Sequence, residues 1–485
     1  MKQVGKKSTK IFDIRYLCIV LAALYVLLAI AFYFLAGAQL HYRESRSNID
    51  MLPAESGTIE LVDGTRVEQV FTTRIERLKT ISIQWGAFYR TNAGTATVNL
   101  YDQESGTLLL SSTYDVSSFG EGTITDLTVD TPLEGLVGKP LLLQILADSA
   151  AGSAATPLIS SSAEAQDGFA LYLNGEQAPG QLCFSASGED YIWTGLHYWQ
   201  FIAGFGLALG TYLLWVYYRW KHGKYSVLAA ALSAVRKYKF LIKQLVSRDF
   251  KAKYKRSILG VFWSFLNPLL NMLVQYVVFS NMFRFNIPNF PVYLLCGNVM
   301  FNYFSESCGM SLQSIVGNAG LITKVYMPKY IYPLTRTLST LINLVISMIP
   351  LLAVALLTGL RPTKAYLLVG FVLACIAIFC LGMGMLLSAA MVFFRDIQFL
   401  WGVLTTIWMY LTPIFYPADL LPESIAWVLK LNPLYYFITF LRTCIMDGVS
   451  PEPVMYVQCF LISMVMLAVG ALVFKKNQDK FVLYL

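Results

Sequence analysis

Long apolar runs, separated by short polar breaks, dominate the chain. A bilayer core about 30 Å thick takes roughly 20 apolar residues at 1.5 Å each, and eight stretches meet or approach that length: 16–38, 196–218, 258–283, 293–316, 337–360, 365–394, 397–417 and 453–474. Each predicts a transmembrane helix. The first has no acidic, basic or histidine side chain, is longer than a signal-peptide core and lacks a small-residue cleavage pattern, so it reads as an anchor. A ninth stretch, 424–441, contains Lys430 and Pro433 and reads as re-entrant or interfacial.

Between the first two runs the pattern changes period. Residues 39–195 alternate apolar and polar positions over short stretches rich in Thr, Ser and Gly, as half-buried strands do. Ile81, Ile83 and Trp85 form one such set, Ala96, Val98 and Leu100 a second, and Leu141, Leu143 and Ile145 a third. Asp102-Gln-Glu-Ser-Gly106 reads as a hairpin turn. Short strands at roughly ten-residue spacing predict an all-β sandwich, with a jelly roll as one form of it. Cys183 is its only cysteine, which excludes a disulfide within it.

The resulting division is residues 1–38 (N-terminus and first helix), 39–195 (β-sandwich), 196–218 (second helix), 219–257 (basic linker and surface helix) and 258–485 (six-helix core). The fold class is an α-helical polytopic membrane protein of about eight spans with an inserted extracellular sandwich.

Composition and charge place this division in the membrane. Of 485 residues, 56% are hydrophobic and 14% charged, against about 25% charged in soluble domains. Residues 39–195 hold 8 basic and 20 acidic side chains, a net of −12, while the rest carry +20. Twelve of the basic residues fall within 219–256, facing one acid, Asp249; others cluster in 1–15 and after 474. Positive loops stay inside, so both termini and the linker are expected in the cytoplasm and 39–195 outside a plasma membrane. The basic excess follows from topology and anionic lipid, and no nucleic-acid motif competes. Three histidines and eight scattered cysteines leave little for a metal centre, and the acids of 39–195 lack EF-hand spacing.

Around 236–256 the apolar period is helical. Tyr238, Leu241, Ile242, Leu245, Val246 and Phe250 share about half a helix circumference, with Lys237, Lys243, Arg248 and Lys251 elsewhere. This predicts a helix lying in the membrane interface. Asp249 interrupts its apolar face, which suggests an internal salt bridge or a cap; everything else there fits a basic surface helix with no gating role.

From this point the sequence resembles a family. Arg248-Asp-Phe-Lys-Ala-Lys-Tyr-Lys-Arg-Ser-Ile-Leu-Gly260, with Trp263, Asn267 and Pro268, is similar to the entry of ABC-2 type permeases that export polysaccharides such as teichoic acid and O-antigen. Asn318-Ala-Gly-Leu-Ile-Thr-Lys-Val-Tyr-Met-Pro328 with Pro333, Phe394-Arg-Asp396, Thr412-Pro-Ile-Phe-Tyr416, Leu431-Asn-Pro433 and Arg442 follow in the family's order. The resemblance covers about 236–485; family members usually begin at the surface helix, whereas this chain adds two spans and the sandwich.

The resemblance implies a homodimeric permease that moves a lipid-linked polysaccharide across a bacterial plasma membrane, driven by a separate nucleotide-binding subunit that carries ATP and Mg. It implies a gate helix comprising Tyr238, Leu241, Leu245, Arg248, Asp249, Phe250, Lys253 and Tyr254. It also implies an ATPase-coupling segment with Leu321, Lys324, Tyr326, Met327, Pro328 and Lys329, to which Arg336 adds a charged contact; as residues alone, this is equally an ordinary short basic loop. The chain has no G-x-x-x-x-G-K-[ST] loop, the nearest fragment being Gly5-Lys-Lys-Ser8, so it is not expected to be an ATPase or to hold a cofactor itself.

Glu306, the only acid between 285 and 323, either faces a polar path or lies near the membrane surface. Interfacial aromatic belts explain most of Phe301, Tyr303, Trp408, Tyr410, Tyr435 and Tyr436, which are also candidates for a sugar-lined path. Trp85, Tyr89 and Tyr101 are candidate glycan platforms on the sandwich, or core aromatics. A membrane glycosyltransferase or polymerase, with Glu189-Asp190 as its acids, and an exporter of drugs or lipids are the alternatives.

Overall fold

A computed structural model describes residues 14–45, 49–57, 60–161, 168–222, 235–255, 257–282, 287–323, 327–418 and 423–484. The chain divides into two compact units. One runs from His41 to Leu196, and the other contains everything before and after it.

The inserted unit consists of β1 (Tyr42–Glu44), β2 (Ser56–Gly57), β3 (Arg66–Thr72), β4 (Arg77–Gly86), β5 (Thr95–Asp102), β6 (Leu108–Asp115), β7 (Thr123–Glu134), β8 (Pro140–Asp148), β9 (Thr156–Ser160), β10 (Ala170–Leu173), β11 (Glu176–Ala178), β12 (Gln181–Leu182) and β13 (Phe184–Tyr191). One sheet orders β1-β13-β4-β9-β12, with β2 on β9 and β7 on β4; the other orders β11-β10-β3-β8-β5-β6. The named ladders are antiparallel. The three alternating sets lie on β4, β5 and β8, and all nine side chains point into one shared core. Period two sends every second residue to that face. The Asp102–Gly106 turn closes the β5–β6 hairpin: Glu104 N donates to Asp102 Oδ1 (3.0 Å), Gly106 N donates to Asp102 O (2.8 Å), and Gly106 takes φ +67°. The expected sandwich is present.

The helical unit comprises α1 (Ile14–Ala36), α2 (Tyr198–Lys221), α3 (Lys239–Tyr254), α4 (Trp263–Met282), α5 (Phe290–Leu312), α6 (Ile331–Leu357), α7 (Val369–Phe393), α8 (Ile397–Leu411), α9 (Glu423–Leu431), α10 (Pro433–Arg442) and α11 (Pro453–Asn477). Among the described residues, six helical stretches are long and apolar enough to cross a membrane: Ile14–Leu40, Tyr198–Lys221, Gly260–Ser280, Ile331–Leu357, Lys364–Phe393 and Pro453–Tyr484.

The other two of the eight predicted runs fall short of that length or apolarity. The run at 293–316 forms α5, which has the length; but Asn298, Asn302 and Glu306 dilute its apolarity, and neighbouring helices bury most of it. The run at 397–417 gives the 15-residue α8, which ends before Thr412-Pro413. At 1.5 Å per residue, α9 and α10 are each about 15 Å long, too short to span.

α7 and α11 cross with their backbones in contact. A Cβ on Gly470 would lie 2.0 Å from the carbonyl oxygen of Gly382, and one on Gly382 would lie 2.4 Å from that of Met466. Two glycines let these backbones touch, the usual device where lipid supplies no hydrophobic drive between helices. α1 and α2 are tied by Tyr198 Oη donating to Ala29 O (2.7 Å) and Tyr25 Oη donating to Ile202 O (2.6 Å).

Candidate functional site

The surface helix α3 does not float. Ile242, Leu245 and Asp249, spaced three and four apart, form its buried stripe. Ile242 and Leu245 pack into a cluster with Ile322, Met327, Ile331 and Tyr332 of the 318–333 region, Ala389 and Val392 of α7, and Phe474 and Phe481 near the C-terminus. One apolar knot thus joins the surface helix, the predicted coupling segment and the ends of α7 and α11.

Asp249 is the charged centre of this seat. Its side chain is 3% exposed and lies within α3, so it is no cap. Arg248 Nε and Nη2 donate to Oδ1 at 3.1 and 3.0 Å, and Arg336 Nη1 of α6 stands 3.0 Å from Oδ2 as an ion pair not aligned for a hydrogen bond. Arg248 Nη2 also reaches Asn318 Oδ1 at 3.4 Å, and Asn318 Nδ2 donates to Ser314 O at 2.7 Å. Burying a carboxylate is costly unless cations and donors meet it; here two arginines do. Arg336, read from sequence as an outward contact for a partner, instead points inward to Asp249. The signal for it was Asp249 itself: an acid on an apolar stripe needs a cation, and sequence does not say which of the many nearby.

One turn further on, α3 forms a second polar contact. Lys253 Nζ lies 2.7 Å from Glu306 Oε1 of α5, and Asn343 Nδ2 of α6 donates to the same oxygen at 3.0 Å. Tyr254 Oη donates to Asn343 Oδ1 at 3.1 Å and hydrogen-bonds Ser264 Oγ of α4. These side chains border a cleft of about 450 Å³ that Asn267, Asn271, Asn302 and Ser347 also line. It offers amide, hydroxyl, ammonium and carboxylate groups between four helices, an arrangement suited to exchanging hydrogen bonds with a hydroxyl-rich or phosphorylated cargo. Glu306 faces this cleft.

In the coupling segment Leu321 is half-buried and Met327 buried. Lys329 Nζ donates to Gln478 O at 2.5 Å and lies 5.8 Å from the Phe481 ring centre, so it ties the segment to the C-terminal tail. Pro328 precedes the turn into α6. Lys324 and Tyr326 lie outside the described residues.

The path aromatics fall into separate surroundings. Phe301 and Tyr303 are 5% and 3% exposed inside the core and offer no ring face in this chain, which corrects their reading as path-lining. Trp408 Nε1 donates to Asn432 Oδ1 (2.8 Å), Tyr410 is exposed on α8, and Tyr435 stacks edge-on against Tyr436, whose hydroxyl donates to Lys430 O (2.9 Å). Arg442 Nη1 and Nη2 donate to Pro413 O and Ile414 O at 2.9 and 3.2 Å, with the guanidinium 3.3 Å from the Tyr293 ring centre. It brackets the Thr412–Tyr416 turn.

On the sandwich, Trp85 is fully buried and its Nε1 donates to Thr125 Oγ1 at 2.7 Å, so it is a core residue and not a glycan platform. Tyr101 is half-buried. Tyr89 is 92% exposed, with φ +54° beside Phe88 at +56°. Non-glycine residues in that region are held there by their surroundings; here Ala87 N donates to Glu121 Oε2 (2.9 Å), Asn92 Nδ2 to Ala87 O (3.1 Å), and Arg90 pairs with Glu60.

A family model described as ABC-2 type transporter matches residues 240–446. The O-antigen export system permease protein RfbA of Myxococcus xanthus is 32% identical over 246 residues, which is 50% of this chain and 95% of that protein. A protein of the same description from Klebsiella pneumoniae is 30% identical over 246 residues, 50% of this chain and 93% of its own. The polysialic acid transport protein KpsM of Escherichia coli is 23% identical over 248 residues, 50% of this chain and 95% of its own. The family match opens within α3 and closes just past Arg442, so it takes in the Asp249 seat, the Glu306 cleft and the Arg442 bracket, and with nearly the whole of a 32%-identical permease aligned, this multi-pass membrane chain belongs to the ABC-2 type transporter family.

Proposed function

We propose that the chain is the permease subunit of an exporter that carries a polysaccharide, linked to a lipid, outward across a bacterial plasma membrane. The observation that carries this reading is the near-complete alignment of export permeases for O-antigen on half of the chain. The chain acts as a homodimer with two nucleotide-binding subunits, which hold ATP and Mg and perform the hydrolysis. Both termini and residues 219–257 face the cytoplasm, following the basic clusters, and the acidic sandwich lies outside.

In this mechanism closure of the ATPase subunits displaces the 318–333 segment. Asn318, Arg248, Asp249 and Arg336 form a continuous polar chain from that segment through α3 to α6, so the displacement moves the surface helix with it. Separation of Lys253 from Glu306 then opens the polar cleft to the cargo's head and first sugars. Tyr89 stacks on the emerging polymer outside.

Depletion of the chain in its native host, followed by radiolabelled sugar incorporation, tests the reading. Lipid-linked polymer that accumulates inside while surface polymer disappears, together with a stoichiometric Walker-type ATPase co-purifying with the chain, is the expected result. Loss of polymer synthesis would instead make the chain a glycosyltransferase or polymerase, and normal surface polymer with altered drug sensitivity a drug exporter.

A further inference from the structure

A groove of about 800 Å³ runs between α3 and α6, on a different set of α3 residues from those that hold Glu306. Its α6 wall is Leu338, Leu341, Ile342 and Val345; its α3 wall is Ile242, Val246 and Phe250, with Lys239 and Lys243 at one end. Both lysines are exposed, and among the described residues neither makes an ion pair. The charged cluster further along the groove's two helices, Arg248 of α3 and Arg336 of α6 around Asp249, is itself net positive.

We propose that this groove binds an anionic glycerophospholipid, with its phosphate on Lys239 and Lys243 and one acyl chain along α6. Three features carry this. The apolar stripe on α6 extends past the groove to Ile349, which is 57% exposed. From Leu338 to Ile349 it measures about 16 Å at 1.5 Å per residue, one leaflet of a bilayer core about 30 Å thick. The charge at its mouth is cationic only, which selects an anionic over a zwitterionic headgroup. A basic surface helix beside an apolar channel one leaflet deep is the shape of a phospholipid. The site rests on the chain being a membrane permease and is independent of which cargo it moves.

The test uses the full chain in nanodiscs containing phosphatidylglycerol or phosphatidylcholine, each with a photoactivatable acyl chain, and maps adducts by mass spectrometry. Adducts on 338–349 are compared with those on the exposed α2 positions Phe205 and Leu207, which report ordinary annular lipid. The expected result is a phosphatidylglycerol preference at 338–349 of about tenfold over that reference. The preference is lost in Lys239→Gln/Lys243→Gln, kept in Lys239→Arg/Lys243→Arg, and total labelling there falls in Val345→Trp, which fills the groove. All of these positions are exposed, so the fold is left intact. A preference no greater than on α2, or one that survives the glutamine substitutions, overturns the proposal. So does labelling displaced by lipid-linked glycan but not by unlabelled phosphatidylglycerol, which would make the groove a cargo site.

Discussion

Replacing Arg336 with methionine removes one of the two cations from a carboxylate that is 3% exposed, and leaves most of the side-chain volume in place. Truncating one partner of a buried ion pair costs about 3–5 kcal/mol, most of it the penalty of the charge left behind. Arg248 remains on Oδ1, but its side chain is 51% exposed and its contribution is screened by solvent. The lower end, about 3 kcal/mol, is therefore expected, or roughly a 150-fold rise in the undocked population of α3. Hydrogen–deuterium exchange of the purified full chain reads this directly: amides of 239–254 should exchange faster by that order, while those of the β-sandwich stay unchanged and serve as the internal reference. Asp249→Leu combined with Arg336→Leu removes both charges and should return exchange to within about 1 kcal/mol of the natural chain, since Arg248 can turn to solvent. Unchanged exchange in Arg336→Met, or a double variant more open than the single one, would refute the view that this pair seats the helix.

Glu306→Gln should change stability by less than about 1 kcal/mol, because Lys253 and Glu306 are both partly exposed, yet slow export in cells; normal surface polymer would remove Glu306 from the transport step. Gly470→Val should abolish accumulation of folded permease, since its Cβ already falls 2.0 Å from a backbone oxygen that cannot move alone; a membrane level equal to the natural chain's would contradict the crossing. Burial, with the nearby Glu55 charge adding to it, pushes the Cys183 thiol up to about 11. At pH 7.5 it therefore stays protonated, and an impermeant maleimide should label it only after unfolding. Trp85→Ala should cost about 3–5 kcal/mol of sandwich stability, whereas Tyr89→Ala should stay within about 0.5 kcal/mol and weaken retention on the exported polymer; equal thermal shifts for the two would contradict their placement.

What could be read in the sequence was everything set by local period and hydropathy. Alternation alone put Ile81, Val98 and Leu143 on inward faces, because a strand's geometry permits no other choice once one face is buried. Apolar length alone marked α1, α2, α4, α6, α7 and α11, because a bilayer demands a fixed rise. The same logic failed where neighbours matter. α5 is less apolar than the other long helices because helices around it bury most of its length, and a window of hydropathy cannot distinguish protein from lipid as the surrounding medium. Trp85, Phe301 and Tyr303 could be read either as available rings or as structural aromatics, because aromatic residues serve cores and sites alike, and only packing decides which.

The charges divide in the same way. An acid on the apolar stripe of 236–256 announced, from sequence, that Asp249 had to be paired. That its neighbour Arg248 is joined there by Arg336, 87 residues on, and not by one of the lysines close by, follows from the docking of α3 on α6. Glu306 announced a polar neighbour; its identity as Lys253, with Asn343 beside it, required α3, α5 and α6 to meet. The elements, and the side chains that could not be left alone, were legible along the chain, because those depend on bonds, rise and solvation within one segment. Which partner each of them met came from packing, because that depends on which segments meet across fifty to ninety residues of chain.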